Sequence, residues 1–233
     1  MCTARNLGVR HSKGQYIAVL DSDDVWLPRK LEEQTTLMQM HPEVGLLYGH
    51  SEYWYDWAGD GRHAGKNYIP PLAPSGRVYH PPELLKLCNP LGCLGQPRPS
   101  DFLLRRDVVD QISGFEVAFD PEHQLYEDQA LLAKIYLRVP VFVAAECWDR
   151  YRIHDKSWGA VSDKLGRSEA TRQFYFRWLE QYLRDSQVLD KEIWRAFWRC
   201  TRSYRHPWLA ALARGIRRTV KALLRIFRLR ISF

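Results

Sequence analysis

Three carboxylates, Asp21, Asp23 and Asp24, stand directly after the apolar run Tyr16-Ile17-Ala18-Val19-Leu20. Asp21 and Asp23 lie two residues apart, so in extended geometry they share a side. Two carboxylate oxygens placed in this way suit a hard divalent cation that also holds phosphate oxygens. Asp-Ser-Asp is equally ordinary turn composition, with a capping role open to it. Further along, Glu127 and Asp128 open a helical pattern. Two acids there either complement the helix dipole or accept a proton from a substrate. His154 follows Tyr151-Arg152-Ile153. It is either an exposed loop residue or a ligand, and a neutral imidazole suits Mn²⁺ better than Mg²⁺.

The elements that must place these groups are legible in outline. The run to Leu20 reads as a strand buried on both faces, as in a parallel sheet, with the carboxylates at its C-terminal end where open α/β sheets bind ligands. Residues 2–12 read as a helix, closed by Gly14. Pro28 suits the first position of a second helix, which runs to about Met40 and is stopped by His41-Pro42. Val44–Tyr48 reads as a second buried strand. Tyr53, Tyr55 and Trp57 alternate, giving one aromatic face that either packs across strands or stacks on a sugar ring. Residues 58–100 are rich in Gly and Pro and read as loops with one short helix near Glu83–Leu87. A strand over Asp101–Arg106, a helix near Asp107–Ile112 capped by Gly114, a helix from Tyr126 to about Arg138 and a strand over Val141–Cys147 follow. Phe174, Trp178 and Tyr182 then share one face of a later helix.

Composition narrows the functional classes. The chain of 233 residues is 45% hydrophobic, enough for one domain with an appendage. No stretch approaches the roughly 18 uninterrupted apolar residues of a spanning helix, and the first residues lack the apolar core of a signal peptide. Five cysteines without a Cys-x-x-Cys pair argue against a disulfide framework and for a reducing compartment. The net charge of +7 comes from residues 206–233, which hold seven Lys or Arg and no acid. The remainder is balanced, and a nucleic-acid partner is not expected. In that tail Leu209, Leu212, Ile216, Val220, Leu223 and Phe227 recur at steps of three and four, with Arg214, Arg218, Lys221, Arg225 and Arg228 on another side. The pattern suits a helix lying in an anionic membrane interface, or one docked on the domain with solvated arginines.

The ordered run ARNLG…KGxYIAxLDSDDxWxPxKLExQ, from Ala4 onward, is similar to the donor-site segment of glycosyltransferase family 2, which has the GT-A fold. The second half agrees in order: Leu104-Arg105-Arg106, Ser113-Gly114-Phe115, Glu127-Asp128, Val141–Cys147 and Tyr151–Ser157 resemble the family's strand ending in Arg, GGF-like turn, ED pair, strand and YRxHxxS. The resemblance covers roughly residues 4–157. It implies an α/β fold: an incomplete GT-A-type, Rossmann-like, mostly parallel sheet flanked by helices, with a C-terminal helical extension. Family members carry further strands, and an aspartate that reads the nucleotide base, ahead of the ARNLG helix, and the expectation is that these are absent. The expected division is a partial GT-A domain over 1–160, a helical extension over 161–205 and a basic amphipathic helix over 206–233.

The same resemblance implies the site. Asp21 and Asp23 hold Mn²⁺ or Mg²⁺, with His154 as a further ligand. Arg5, Asn6, Asp21 and Ser22 contact a nucleotide-sugar donor, expected to be UDP-linked. Asp128 is the base, oriented by Glu127 and kept ionised by the helix dipole. The implied activity is inverting transfer to a glycan or lipid-linked acceptor, in the cytoplasm and peripheral on the inner face of the membrane. The alternative is a catalytically inactive glycosyltransferase fragment that binds a membrane or a partner.

Overall fold

The computed structural model describes residues 1–119 and 123–205. The expected basic helix over 206–233, and its membrane attachment, lie outside the described residues. No described helix is long and apolar enough to cross a membrane.

The fold is α/β, with a mixed sheet flanked by helices and a helical extension at the C-terminal side. Its strands are β1 (Tyr16–Ala18), β2 (Val25–Trp26), β3 (Leu46–Trp54), β4 (Arg77–Tyr79), β5 (Leu103–Arg105) and β6 (Val141–Arg152). Its helices are α1 (Cys2–His11), α2 (Lys30–Met40), α3 (Glu83–Leu87), α4 (Arg106–Gln111), α5 (Glu127–Tyr136), α6 (Trp158–Lys164), α7 (Ser168–Asp185) and α8 (Lys191–Arg205). The sheet order is β1-β5-β3-β6-β2, and β4 also pairs with β6.

The expected mostly parallel sheet is mixed. β3 and β6 form its parallel pair, whereas β5 lies antiparallel to both β1 and β3, and β2 and β4 lie antiparallel to β6. β1, β3 and β6 therefore point the same way, with β5 reversed between the first two. An apolar run reports burial and carries no direction, so the reversal is invisible in sequence. β1 also departs from the expected doubly buried strand. It is an edge strand in which Ile17 is buried while Leu20, just beyond it, is 47% exposed. The loop-rich middle contributes β4 as well as α3, and β6 runs five residues beyond Cys147 to Arg152.

Two arginines explain how helices join this sheet. Arg105 donates to the carbonyls of Met38 (2.7 Å) and His41 (3.2 Å), at the C-terminal end of α2. Arg106 donates to Val9 O (3.2 Å) and Gly14 O (2.6 Å), where α1 turns into β1. A cation at a helix C-terminus meets unpaired carbonyls and the negative end of the dipole. The strand-ending Arg-Arg of the motif thus pins two helices at once.

The larger core gathers Leu46, Tyr48, Phe102, Leu104, Leu131 and Ile135 with Tyr175, Leu179 and Phe197 of the extension. Phe119 stands edge-on to Phe174 and Trp178, so the aromatic face of α7 packs on the domain. Beneath the sheet lies a sealed polar group. Lys30 donates to Gln34 Oε1 (2.5 Å) and Asp101 O (3.1 Å), and its Nζ is 4.0 Å from Asp101 Oδ1. The backbone N–H of Gly49 donates to the other Asp101 oxygen. A Cβ at Gly49 would stand 2.3 Å from Glu146 O, so the bulge where β3 meets β6 admits only glycine. Burial lowers Lys30 to about 8 against the pull of Asp101 and Asp149.

Candidate active site

The Asp21–Asp24 loop is fixed from two sides. Ser100, buried just ahead of β5, accepts the N–H of Asp21 (3.1 Å) and donates its hydroxyl to Asp24 Oδ2 (2.6 Å). From the other side β2 pairs with the end of β6, Val25 opposite Arg150 and Trp26 opposite Asp149. The N–H of Arg152 donates to Asp24 Oδ1 (3.0 Å), and its Nε to Asp23 O (2.7 Å). Asp24 is therefore the anchor of the loop. Burial pushes its pKa up to about 6, although Ser100 and the Arg152 N–H oppose the shift.

This stapling brings His154 to the loop. Its Nε2 lies 3.0 Å from Asp23 Oδ2, across 131 positions of sequence. Asp21 turns elsewhere, to Arg5 Nη2 at 2.6 Å. The expected three-ligand set of Asp21, Asp23 and His154 is therefore not gathered, and among the described residues no group of three or more His, Cys, Asp or Glu could hold a metal ion. The reason is the opposite charge on Arg5, which claims Asp21. Asp23 and His154 do fit a cation as a pair: one carboxylate and one imidazole, adjacent, with the Asp23 side chain 42% exposed. Oxygens of a ligand and of water would supply the remaining positions that such an ion takes.

Arg5 joins the two halves of the motif. Besides Asp21, its Nη1 meets Glu127 Oε1 at 3.2 Å, at the start of α5. Burial opposes the charge on Arg5, but Asp21 and Glu127 outweigh it and its pKa is raised. Asn6, expected at the donor, is committed to packing. Its Oδ1 accepts Phe115 N–H and its Nδ2 donates to Phe115 O, both at 2.8 Å. Gly114 has φ +63°, and a Cβ there would lie 2.5 Å from Asn6 Oδ1, so the Gly-Phe turn is built for that side chain. Ser22 is exposed at the apex of the loop. An open groove of about 390 Å³ runs between α1 and β1 and is lined by Arg5, Val9, Leu20 and Phe115 among others.

Glu127 and Asp128 are both buried, 6% and 9% exposed. The dipole was expected to keep Asp128 ionised, but burial dominates and raises its pKa, with Arg98 pulling the other way. Burial, then the neighbouring Asp128, carries Glu127 up to about 8 despite Arg5. Arg98 is the residue that sequence reasoning missed. It lies over the rings of Tyr151 (4.8 Å) and Tyr53 (5.1 Å) and donates to the Tyr53 hydroxyl. The aromatic face read from the sequence is thereby divided: Tyr53 packs on Tyr68, Tyr151 and Arg98, whereas Trp57 sits edge-on to His154. The sole signal for Arg98 was a cation set between Pro97 and Pro99.

The pKa of Glu127 has a measurable consequence. Its ordinary value is 4.5, so between pH 4.5 and about 8 the folded chain holds a proton that the unfolded chain has released. Stability contributed by protonated Glu127 is present below pH 4.5 and lost as pH rises through 8. Glu127→Gln is therefore expected to gain thermal stability relative to the parent chain from pH 5 to pH 9. A constant difference in melting temperature across that range would show that Glu127 does not titrate in this window.

Residues 1–111 match the family model described as Glycosyl transferase family 2. WfgD of Escherichia coli, named a UDP-Glc:alpha-D-GlcNAc-diphosphoundecaprenol beta-1,3-glucosyltransferase, is 35% identical over 91 residues, covering 39% of this chain and 31% of its own. WfaP of Escherichia coli, named for the same reaction, is 30% identical over 115 residues, covering 47% of this chain and 37% of its own. Among solved structures, S. aureus TarS overlaps with a TM-score of 0.45 and 16% identity, over 66% of this chain and 24% of that one. The chain spans about a third of the length of the curated relatives it matches. The N-terminal 111 residues thus match a glycosyl transferase family 2 domain and hold Arg5 and the Asp21–Asp24 loop, while Glu127, Asp128 and His154 lie beyond the match.

Proposed function

We propose that the chain carries out metal-dependent, inverting transfer of a sugar from a nucleotide-sugar donor, UDP-linked, to a glycan or lipid-linked acceptor. The observation that supports this is the bridge through Arg5, whose guanidinium meets both Asp21 and Glu127, the neighbour of Asp128. The names of the two E. coli relatives, with UDP-glucose and a diphosphoundecaprenol-linked sugar, support the donor and acceptor classes.

Asp23 and His154 are the residues that would hold a divalent cation; such an ion, when bound, offsets the charge that gathers on the leaving diphosphate. Arg5, held between Asp21 and Glu127, would supply a second positive charge. Asp128 takes the proton of the acceptor hydroxyl as the new oxygen–carbon bond forms and the bond to the diphosphate breaks. A base with a raised pKa sits nearer the working pH, where proton transfer is best matched. A single attack from the face opposite the leaving group inverts the anomeric centre. Residues 206–233 would hold the domain peripherally on the cytoplasmic side of the membrane, beside a lipid-linked acceptor.

Mn²⁺ and UDP added together are expected to raise the melting temperature, by about 2.7 kcal/mol of stability at a hundredfold excess over Kd. Asp23→Ala abolishes that rise. No shift with Mn²⁺ and UDP, or an undiminished shift in Asp23→Ala, would refute this assignment of the cation pair.

A further inference from the structure

The outward side of α8 carries a charge that the rest of the domain lacks. Asp190 caps the helix, accepting the N–H of Glu192 (2.7 Å) and of Ile193 (3.2 Å). Ile193, Ala196, Phe197 and Thr201 are buried against the domain. Lys191, Arg195, Trp198, Arg199, Arg202 and Arg205 are exposed, at steps of three and four along the opposite face. Arg205 is answered by Glu180 of α7, and Glu192 on the flank of the stripe is answered by Lys86 at 2.7 Å. Lys191, Arg195, Arg199 and Arg202 make no ion pair among the described residues. Trp198 lies within the stripe, 36% exposed, stacked on Trp194 at 5.6 Å and covered on one side by Arg205 at 4.2 Å.

We propose that this face of α8 docks on an anionic phospholipid bilayer and so sets the orientation of the folded domain on a membrane. The inference goes beyond any contact made by residues 206–233 and does not depend on sugar transfer. Four cations on one side of a rigid helix, without an ion-pair partner among the described residues, gain little from solvent but are drawn to an anionic surface. An amphipathic indole amid them suits the interface between headgroups and acyl chains. Residues 206–233 bring no acid that could neutralise this face, since they bear seven further Lys or Arg and no Asp or Glu. A second copy meeting it face to face would bring like charge against like. A nucleic acid would satisfy the arginines but has no use for the apolar period that follows in Leu209, Leu212, Ile216 and Val220.

The test uses the full chain with phosphatidylglycerol-rich vesicles and with pure phosphatidylcholine vesicles. Near an anionic surface each cation is worth roughly fivefold in affinity. The triple variant Arg195→Gln, Arg199→Gln, Arg202→Gln should therefore bind the anionic vesicles on the order of a hundredfold more weakly than the parent, with an unchanged melting temperature. Each single variant should lose about fivefold, which keeps the test open if the triple variant is unstable. Binding of the parent should weaken as salt rises. The proposal is overturned if the triple variant binds like the parent, or if anionic and neutral vesicles are bound equally. It is overturned as well if the parent prefers duplex DNA to the vesicles and loses that preference in the triple variant.

Discussion

Asp128→Asn is expected to slow sugar transfer by at least about a hundredfold, the scale on which a lost general base is felt. The amide keeps the size of the side chain and still offers an oxygen to the N–H of Gln129, which Asp128 Oδ1 accepts at 2.7 Å. What it removes is the ability to take a proton, together with the negative charge that Arg98 faces. Donor binding should survive, because the contacts assigned to the donor and its cation belong to Arg5, Asp23 and His154. The measurement is turnover with a UDP-sugar donor alongside donor affinity by titration. Normal turnover in Asp128→Asn with loss in Glu127→Gln would exchange the roles of the two acids. Loss of donor affinity in step with turnover would make Asp128 a binding residue rather than the base.

Lys30→Met is expected to cost about 3–5 kcal/mol of folding stability, the usual consequence of breaking a buried pair from one side. Lys30 is 1% exposed and Asp101 is fully buried, with Asp149 sealed beside them. Methionine fills the same space but leaves Asp101 without its cation and the Asp101 carbonyl without one of its donors. Burial raises Asp101 well above the ordinary carboxylate range and Asp149 to about 7, and Lys30 opposes both shifts, so what ionisation the two acids keep rests on that positive charge. Urea unfolding of the two chains measures the difference. A loss under about 1 kcal/mol would mean that the acids are already neutral and that Lys30 serves only to fill space. The double change Lys30→Met with Asp101→Asn should recover part of the loss, since it removes the stranded charge.

The helices were the legible part of this fold, because their ends are set by local chemistry. His41-Pro42 stops α2 after Met40, although the helix begins at Lys30 rather than at Pro28, and α3 falls at Glu83–Leu87 as expected. Strand direction was not legible, since β5 reads like any other apolar run yet lies antiparallel to both of its neighbours. Nor was the reach of β6, whose last residues include Asp149, Arg150 and Arg152. They stay in the ladder because β2 and β3 hold them from either side. In the site, the meeting of Asp23 with His154 followed from the order of matched motifs, whereas the bond from Arg5 to Glu127 was not expected. No spacing rule links residues more than a hundred positions apart. Asn6 shows the reverse: it belongs to the motif and was expected at the donor, yet it is occupied in holding the Phe115 backbone. Arg98 and Lys30 escaped because neither polarity nor spacing reports a charged side chain that tertiary contacts bury.

The parallel pairing of β3 with β6 also sets the order in which the chain is assembled during synthesis. Leu46 meets Val141, 95 positions later in the sequence. A ribosome adding about 5–20 residues per second needs about 5–20 s to supply that partner. Until then β3 presents Leu46, Leu47 and Tyr48, all fully buried in the finished fold, along an unpaired edge. Such an edge is a template for pairing with other chains. The nascent polypeptide is therefore exposed to aggregation, and dependent on chaperones, from the emergence of β3 until that of β6, with β5 covering one of the two edges in between.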